Sequence, residues 1–514
     1  MNSSSEAVAG RQARPVRRGY VLGGIILTLA LSAMDSTIVA TAIPSIVRDL
    51  GGFSLFPWVF SVYLLVQSAT IPLYGKLSDL YGRKPVLLVG SAIFLLGSVL
   101  SGLSWNMVAL IVFRGIQGIG AGAVQPVATT VVGDLYTLEE RGRIQGYVSS
   151  VWGISAIFGP AVGGFLVEYA SWHWIFFINL PIGAAALAMV GTFLHEAVEP
   201  KRHRIDYAGA ILLTASMGLI IFGLLQGGVS WAWMSWPSAA IFAGGIGLFW
   251  AFLAVERRAA EPVMPLWVYR YRFLSFANLA SLVVGALMIG LTSFLPTFAQ
   301  AELGASPVVA GFALAAMSVG WPLASAVSGV VYLRIGFRQS ALLASLVTVA
   351  ASLWFLRFSA GSSPVAVTAA SFLMGVGLGL LSTSLLVGVQ SVVSWNRRGV
   401  ATGANMFTRM LGSTVGVAVF GSLVNAELKR WFAAPPPAVA PFLPRSLNAA
   451  TLVLGGQLPP IDPRALDYVR QGLYRGIHEV FWGLLAASVL GIVLELGMPR
   501  RADPLPDDSS ERGF

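Results

Sequence analysis

Asp35, Arg114 and Arg409 each fall inside a long apolar run, where charge is costly. Such residues mark proton or ion pathways, or else fixed pairs, because hydrocarbon disfavours an ionised side chain. Asp35 stands about eight residues before the end of its run and Arg114 about eight after the start of its own. At 1.5 Å per residue both lie roughly 12 Å below the same surface and can meet if their helices are neighbours. A carboxylate so paired can take up a proton from one side and release it to the other, its affinity set by the nearness of the cation and the exclusion of water. The same pair can instead be a permanent clasp between two helices. Arg409 lies about eleven residues into its run, close to mid-depth. No second-half acid matches that depth, since Glu302 is in a short connector and Glu427, Glu479 and Glu495 fall near the ends of runs. Arg409 is either structural or faces a cavity, where it would meet an anionic or polar group.

Two further stretches are unusual. Gly75-Lys76-Leu77-Ser78-Asp79-Leu80-Tyr81-Gly82-Arg83-Lys84-Pro85 packs a carboxylate, three cations and two glycines into a turn between apolar runs. The turn bends sharply while Asp79 stays within reach of Arg83, which reads as a charge-linked latch at a membrane surface. The plainer reading is a solvated basic turn. Gly153, Gly159-Pro160 and Gly163-Gly164 crowd one apolar run. In lipid, small residues let helices approach closely, and proline permits a bend.

The elements that must position these groups are membrane helices. Of 514 residues, 56% are hydrophobic and 11% charged, with 57 glycines, which excludes an ordinary soluble fold. Apolar runs of about 20 residues, enough to cross roughly 30 Å of hydrocarbon, recur near 19–41, 55–75, 85–103, 106–131, 143–168, 173–194, 205–227, 236–256, 273–299, 307–333, 338–358, 363–390, 399–426 and 477–497. The fold class is therefore all-α and polytopic, with 14 spans. The net charge of +10 resides in short connectors, so membrane topology explains it better than nucleic acid does. Lys76, Arg83, Lys84, Arg141, Arg143, Lys201, Arg202, Arg204, Arg257, Arg258, Arg334, Arg338, Arg397 and Arg398 mark one side, whereas the short connectors of the other hold only Arg48 and Arg357. The rule that cationic loops stay inside places both termini in the cytoplasm. Arg11, Arg14, Arg17 and Arg18 precede a long run without a small-residue cleavage pattern, so the first helix reads as retained. The absence of cysteine excludes disulfides and thiolate metal sites.

An internal repeat divides the chain. Arg141-Gly142-Arg143-Ile144-Gln145-Gly146 matches Arg398-Gly399-Val400-Ala401-Thr402-Gly403, and the basic turn has a worn partner in Gly329 to Arg338, with Leu333 where Asp79 stands. The expected layout is a cytoplasmic tail over 1–18, a six-helix bundle over 19–194, two inserted helices over 205–256 and a second six-helix bundle over 273–497, followed by a tail over 498–514. The second bundle carries a proline-rich outer loop at 428–475, in which residues 465–475 form a short amphipathic surface helix. The tail after Arg501 reads as disordered. Two such bundles rocking about a central cavity is the architecture these repeats support.

Five motifs carry a family resemblance. The basic turn, G-x-L-x-D-x-x-G-R-K-P from Gly75 to Pro85, resembles the signature loop of major facilitator superfamily transporters. Asp35-Ser36-Thr37-Ile38-Val39-Ala40-Thr41-Ala42-Ile43-Pro44 and Arg114-Gly115-Ile116-Gln117-Gly118 are similar to motifs of its fourteen-span drug:proton antiporter branch, as is Asn405 to Gly412. G-x5-G-P-x2-G-G from Gly153 looks like the antiporter motif at the seam between the halves. The resemblance covers spans one to thirteen. It implies that Asp35 carries the proton and Arg114 modulates it, that Gly75, Asp79, Gly82, Arg83 and Lys84 form the conformational latch, and that transport is outward.

The expected function is proton-coupled efflux of lipophilic drugs or related amphiphiles by alternating access, in a bacterial cytoplasmic membrane. The gradient supplies the energy, with no cofactor or metal. Partners are a small lipophilic substrate, protons and the bilayer, and the protein is expected to be a monomer. Met288, Phe294, Phe298, Trp321, Gln390, Asn405, Phe407 and Arg409 are candidate cavity residues, because methionine and aromatic side chains adapt to varied apolar shapes. Export of a lipid or cell-envelope precursor is the alternative, and a non-transporting membrane sensor a more distant one. No nucleophile–base pair, metal-ligand cluster or phosphate-binding loop points to an enzyme.

Overall fold

The computed structural model describes residues 17–505 apart from 53–54, 197–205, 228–230, 260–261, 263–266, 360 and 444–461. Arg11, Arg14, Lys201, Arg202, Arg204 and much of the proline-rich loop lie outside the described residues. Among those described, 14 helices are long and apolar enough to cross a bilayer. They are α1 (Arg18–Leu50), α2 (Pro57–Tyr81), α3 (Arg83–Gly102), α4 (Met107–Leu135), α5 (Leu138–Tyr169), α6 (Trp174–Phe193), α7 (Tyr207–Gln226) and α8 (Trp236–Glu256). The remainder are α9 (Arg272–Glu302), α10 (Pro307–Ile335), α11 (Phe337–Phe355), α12 (Pro364–Ser391), α13 (Arg398–Ala433) and α14 (Pro463–Leu496).

Three expectations are corrected. The first helix does not stop near 41 but runs through Pro44 to Leu50. Proline removes one backbone donor, yet Ala42 and Ile46 continue the apolar face and pack with Met107, Leu110 and Trp172. Asp35 is consequently near the middle of α1. Residues 465–475 are not a separate surface helix but the opening turns of α14. Asp462 caps that helix at Arg464 N, and Trp431 and Tyr468 lock it to α13 by Trp431 Nε1 to Tyr468 O (3.1 Å) and Tyr468 OH to Trp431 O (2.6 Å). The segment after Arg501 begins by docking, because Leu505 N donates to Val392 O (2.7 Å) and the Leu505 side chain packs on the C-terminal core.

The packing repeats as the sequence does. In the N-terminal half α1 lies on α5 and α6, α2 on α4, and α3 on α4 and α6. In the C-terminal half α9 lies on α13 and α14, α10 on α12, and α11 on α12 and α14. Gly82 and Gly336, which break α2 from α3 and α10 from α11, have matching backbones at φ 94°, ψ 159° and φ 85°, ψ 162°. Only glycine adopts that region without strain. The inserted pair α7–α8 lies against α2 and α13 from outside, with Ala210, Leu213 and Met217 packed on Ala69, Ile71, Met406 and Phe407.

The halves meet through α2 with α13 and α5 with α10, at the end carrying the basic turns. There the backbones nearly touch. A Cβ at Gly75 would fall 2.7 Å from Gly399 O, one at Gly142 2.5 Å from Gly329 N, and one at Gly153 2.8 Å from Ser318 O. Toward the opposite end the contact is lost. On the face of α5 that carries Gly142 and Gly153, the next residues are Ile157, Pro160 and Gly164, all exposed, and a Cβ at Gly164 or at Gly311 of α10 would meet nothing within 4 Å. A cleft thus opens between the halves, closed at the basic end.

Candidate functional site

Asp35 and Arg114 meet inside the N-terminal half. Arg114 Nη1 is 2.5 Å from Asp35 Oδ2, and both side chains are fully buried. Their surroundings satisfy most of the remaining polar atoms. Gln117 Nε2 donates to Asp35 Oδ1 (2.8 Å), Arg114 Nη1 also reaches Gln117 Oε1 (2.7 Å), and Arg114 Nε donates to Val59 O (3.2 Å). Asn179 Nδ2 lies 3.4 Å from Asp35 Oδ1 and 2.9 Å from Ser98 Oγ. The guanidinium stacks 4.2 Å over the Tyr63 ring, whose hydroxyl is 3.2 Å from Ser32 Oγ. Glycine makes this enclosure possible, since a Cβ at Gly118 would fall 2.7 Å from Tyr63 O and hold α2 away from α4. The result is a dry ion pair with a fixed hydrogen-bond shell. Such a pair is stable only while both charges persist, because removing one strands the other in a low dielectric.

Gly159 and Gly163 of α5 seat the same helix α1 against Thr37 and Thr41, and Thr37 Oγ1 donates to Ser155 O (3.0 Å). Gly153, by contrast, meets α10 across the seam, while Pro160 and Gly164 face open space. The five-residue motif is therefore divided between the Asp35 helix, the seam and the cleft.

The basic turn forms a second constellation at the closed end. Arg83 Nη1 is 3.0 Å from Asp79 Oδ1, as the spacing suggested. The carboxylate also accepts two N–H groups from the first turn of α13, Gly399 N at 2.8 Å and Val400 N at 2.7 Å. It caps a helix of the other half, where an anion is favoured by the orphan amides and the helix dipole. Arg83 spans the junction too. It donates to Ser78 O (2.6 Å), Asp134 Oδ2 (2.9 Å) and Trp395 O (2.5 Å), and stacks 4.0 Å over the Trp395 ring. Arg398 returns the contact with Nη1 at 2.5 Å from Asp134 Oδ1. Lys84 takes part through its backbone N–H, which donates to Glu196 Oε2 (3.0 Å) just beyond α6. Burial pushes the Glu196 carboxyl up from its ordinary 4.5, and the Lys84 N–H and the Arg83 charge offset part of that rise.

The candidate cavity residues scatter. Phe298 is in the C-terminal core, its ring 5.4 Å from Phe481 and 6.4 Å from Phe358. Met288, Phe294 and Trp321 are half-buried against that core. Asn405 Nδ2 is tied to Ser281 Oγ (2.7 Å) and Asn278 Oδ1 (3.2 Å), while Phe407 packs toward α7. Gln390 belongs to the closed end, with Nε2 donating to Thr402 Oγ1 (3.1 Å) and to Thr129 O of the other half (3.3 Å). Arg409, the one charged residue of this set, is half-buried with Nη1 3.3 Å from Ser382 Oγ of α12. Glu495 is at a span end as expected, the next-to-last residue of α14, and is fully buried there, accepting from Ser345 Oγ (2.6 Å) with its Oε2 unpartnered among the described residues.

Sequence reasoning missed Gln117, Asn179, Asp134 and the pairing role of Arg398. The first two are neutral amides in apolar runs, a fainter anomaly than charge, and Arg398 passed as a topology signal.

The chain is 37% identical over 79% of its length to multidrug resistance protein 3 of Bacillus subtilis, covering 79% of that protein. It is 33% identical to the multidrug transporter protein MdtP of the same organism, over 81% of this chain and 77% of that one. Its fold superposes on the crystal structure of the human organic anion transporter MFSD10 with a TM-score of 0.60, covering 93% of this chain and 99% of that one at 17% identity, a likeness of fold. The Major Facilitator Superfamily model matches residues 25–209 and 196–417, one match in each half. With two six-helix repeats, an inserted helix pair and relatives of this similarity, the chain belongs to the major facilitator superfamily of membrane transporters.

Proposed function

We propose that this protein is a proton-coupled antiporter that expels lipophilic or amphiphilic compounds from a bacterial cytoplasm by alternating access. The relatives named for multidrug resistance support outward drug transport. The observation that carries the coupling is the enclosed Asp35–Arg114 pair on helices that pack against both seam helices, α2 and α5. The basic end faces the cytoplasm, so the structure corresponds to a state open to the outside. Both termini are cytoplasmic, the gradient supplies the energy, and no cofactor takes part.

In this reading a proton entering from the outer cleft adds to the Asp35 carboxylate and converts it to a neutral acid. Arg114 is then left without its counter-charge in a dry site, a change on the order of 3–5 kcal/mol against the existing arrangement. Relief comes from moving α1 and α4, and α5 moves with α1 through Gly159, Gly163 and Thr37. The seams at the basic end part, Asp35 releases its proton inward and substrate enters. Return requires the Asp79 and Arg83 contacts to re-form.

Asp35→Asn in proteoliposomes tests this. Proton-driven uphill transport of a lipophilic dye is expected to be lost, while downhill exchange across equal pH persists. Unchanged uphill transport by the variant would remove Asp35 from the coupling.

A further inference from the structure

We infer that the cleft holds an anionic head group through Arg409, which makes the cargo an amphiphile bearing a sulfonate, carboxylate or phosphate. This rests on the protein being an exporter and names the chemistry of what it exports.

The register of α13 places Arg409. Thr402 of that helix faces Gln390 of α12, and Gln390 also bonds Thr129 O of α4, which forms the floor where the halves touch. Seven residues on, roughly 10 Å toward the open end and on the same face, stands Arg409. Its Nη1 donates to Ser382 Oγ of α12 at 3.3 Å. A guanidinium has five N–H donors. No other hydrogen bond from this side chain, and no ion pair with a carboxylate, is formed among the described residues. None of its nitrogens is among the enclosed atoms that lack a partner, and the residue is only half-buried, so its unused donors are not all sealed by protein.

The contrast with the other intramembrane charges is informative. Asp35 and Arg114 neutralise each other and have no exposed surface, and Glu495 is enclosed with Ser345. Arg409 has no counter-ion among the described residues and is only half-buried. A cation held at mid-depth is costly unless something compensates it, and the forked donors of arginine match a planar or tetrahedral oxyanion with two parallel hydrogen bonds. A purely structural Arg409 would serve only to tie α13 to α12 through Ser382.

Equilibrium binding to the purified full-length protein, with no proton gradient, separates the two roles. The probes are two dansyl amphiphiles of equal chain length, one ending in a sulfonate and the other in a trimethylammonium. The intact protein is expected to favour the sulfonate by about tenfold or more, R409Q to lose that preference by weakening sulfonate binding alone, and R409K to fall between. Preference of the intact protein for the ammonium probe, or an unaltered ratio in R409Q, would overturn the assignment. If R409Q does not fold, R409K decides: equal loss for both probes means a structural role, and selective loss of the sulfonate means a ligand. The binding readout uses no proton gradient, so a failure of proton coupling is read separately, in the uphill-transport assay, from a failure of this site.

Discussion

The two seams that close the basic end are related by the internal repeat, yet they are held by different forces. Where α2 meets α13, Asp79 of one half caps the amides of the other, and Arg83, Asp134 and Arg398 extend the contact into a charged lattice with little exposure to water. Where α5 meets α10, Leu333 replaces Asp79 and is 45% exposed. The first turn of α5 is capped locally, because Glu140 accepts the Thr137 N–H (3.0 Å). Glycine carries that second seam, through Gly142 on Gly329 and Gly146 on Ala326, with one crossing hydrogen bond from Tyr332 OH to Leu138 O (2.7 Å). One seam is thus electrostatic and sensitive to charge, and the other is steric and sensitive to volume. A two-fold fold needs only one half of the pair to be switchable, provided the halves move as rigid bodies.

The largest effect is expected from Asp79→Asn. It leaves Arg83 with Asp134 as its one carboxylate and removes the charged cap from α13, a loss of about 3 kcal/mol from the closed seam. The chain has no cysteine, so single reporters are clean. Ser78→Cys and Ser328→Cys place a thiol at a fully buried position in each seam. In the Asp79→Asn background both reporters should react with a membrane-impermeant maleimide on the order of a hundredfold faster, if the halves part as units. Acceleration at Ser78 alone would mean that the seams open independently.

How much of this was legible depended on whether lipid penalises the residue. Asp35, Arg114 and the basic turn announced themselves because a charge beside hydrocarbon is anomalous, and the 14 helices followed from apolar length. The pairing of Asp79 with Arg83 followed from their spacing, but its more consequential partners, Gly399 N and Val400 N, are backbone atoms some 320 residues away and carry no side-chain signal. Cavity residues were the least legible. Helices enclosed on several sides have no single apolar face, so period alone does not separate Phe298, in the core, from the half-buried Arg409. Hydropathy also assigned Glu495 to a span end without showing that its carboxyl turns inward to Ser345.

The steric seam should respond to volume and not to charge. A Cβ at Gly142 would lie 2.7 Å from the Gly329 Cα, which is backbone and gives way only if the helices separate. Gly142→Val is expected to weaken closure by about 1–3 kcal/mol, raising Ser328→Cys labelling about fivefold or more. Leu333→Asp, on the exposed side of the same seam, should change labelling less than twofold, because α5 is already capped. A large gain in closure from Leu333→Asp would show that the missing carboxylate, and not the glycine contact, distinguishes the seams.

The smallest effect belongs to the rim of the charged seam. Burial holds the Glu196 pKa above its ordinary 4.5, so the folded protein binds that proton more tightly than the unfolded chain does. By linkage its contribution is fully present below 4.5 and is lost as pH rises through the raised value. Glu196→Gln keeps an acceptor for the Lys84 N–H and cannot ionise. Thermal unfolding followed from pH 4 to pH 8 should therefore show the intact protein losing stability relative to Glu196→Gln as pH increases. A difference that is flat with pH would mean that solvent reaches this carboxyl, and that the dry charged lattice ends at Asp134.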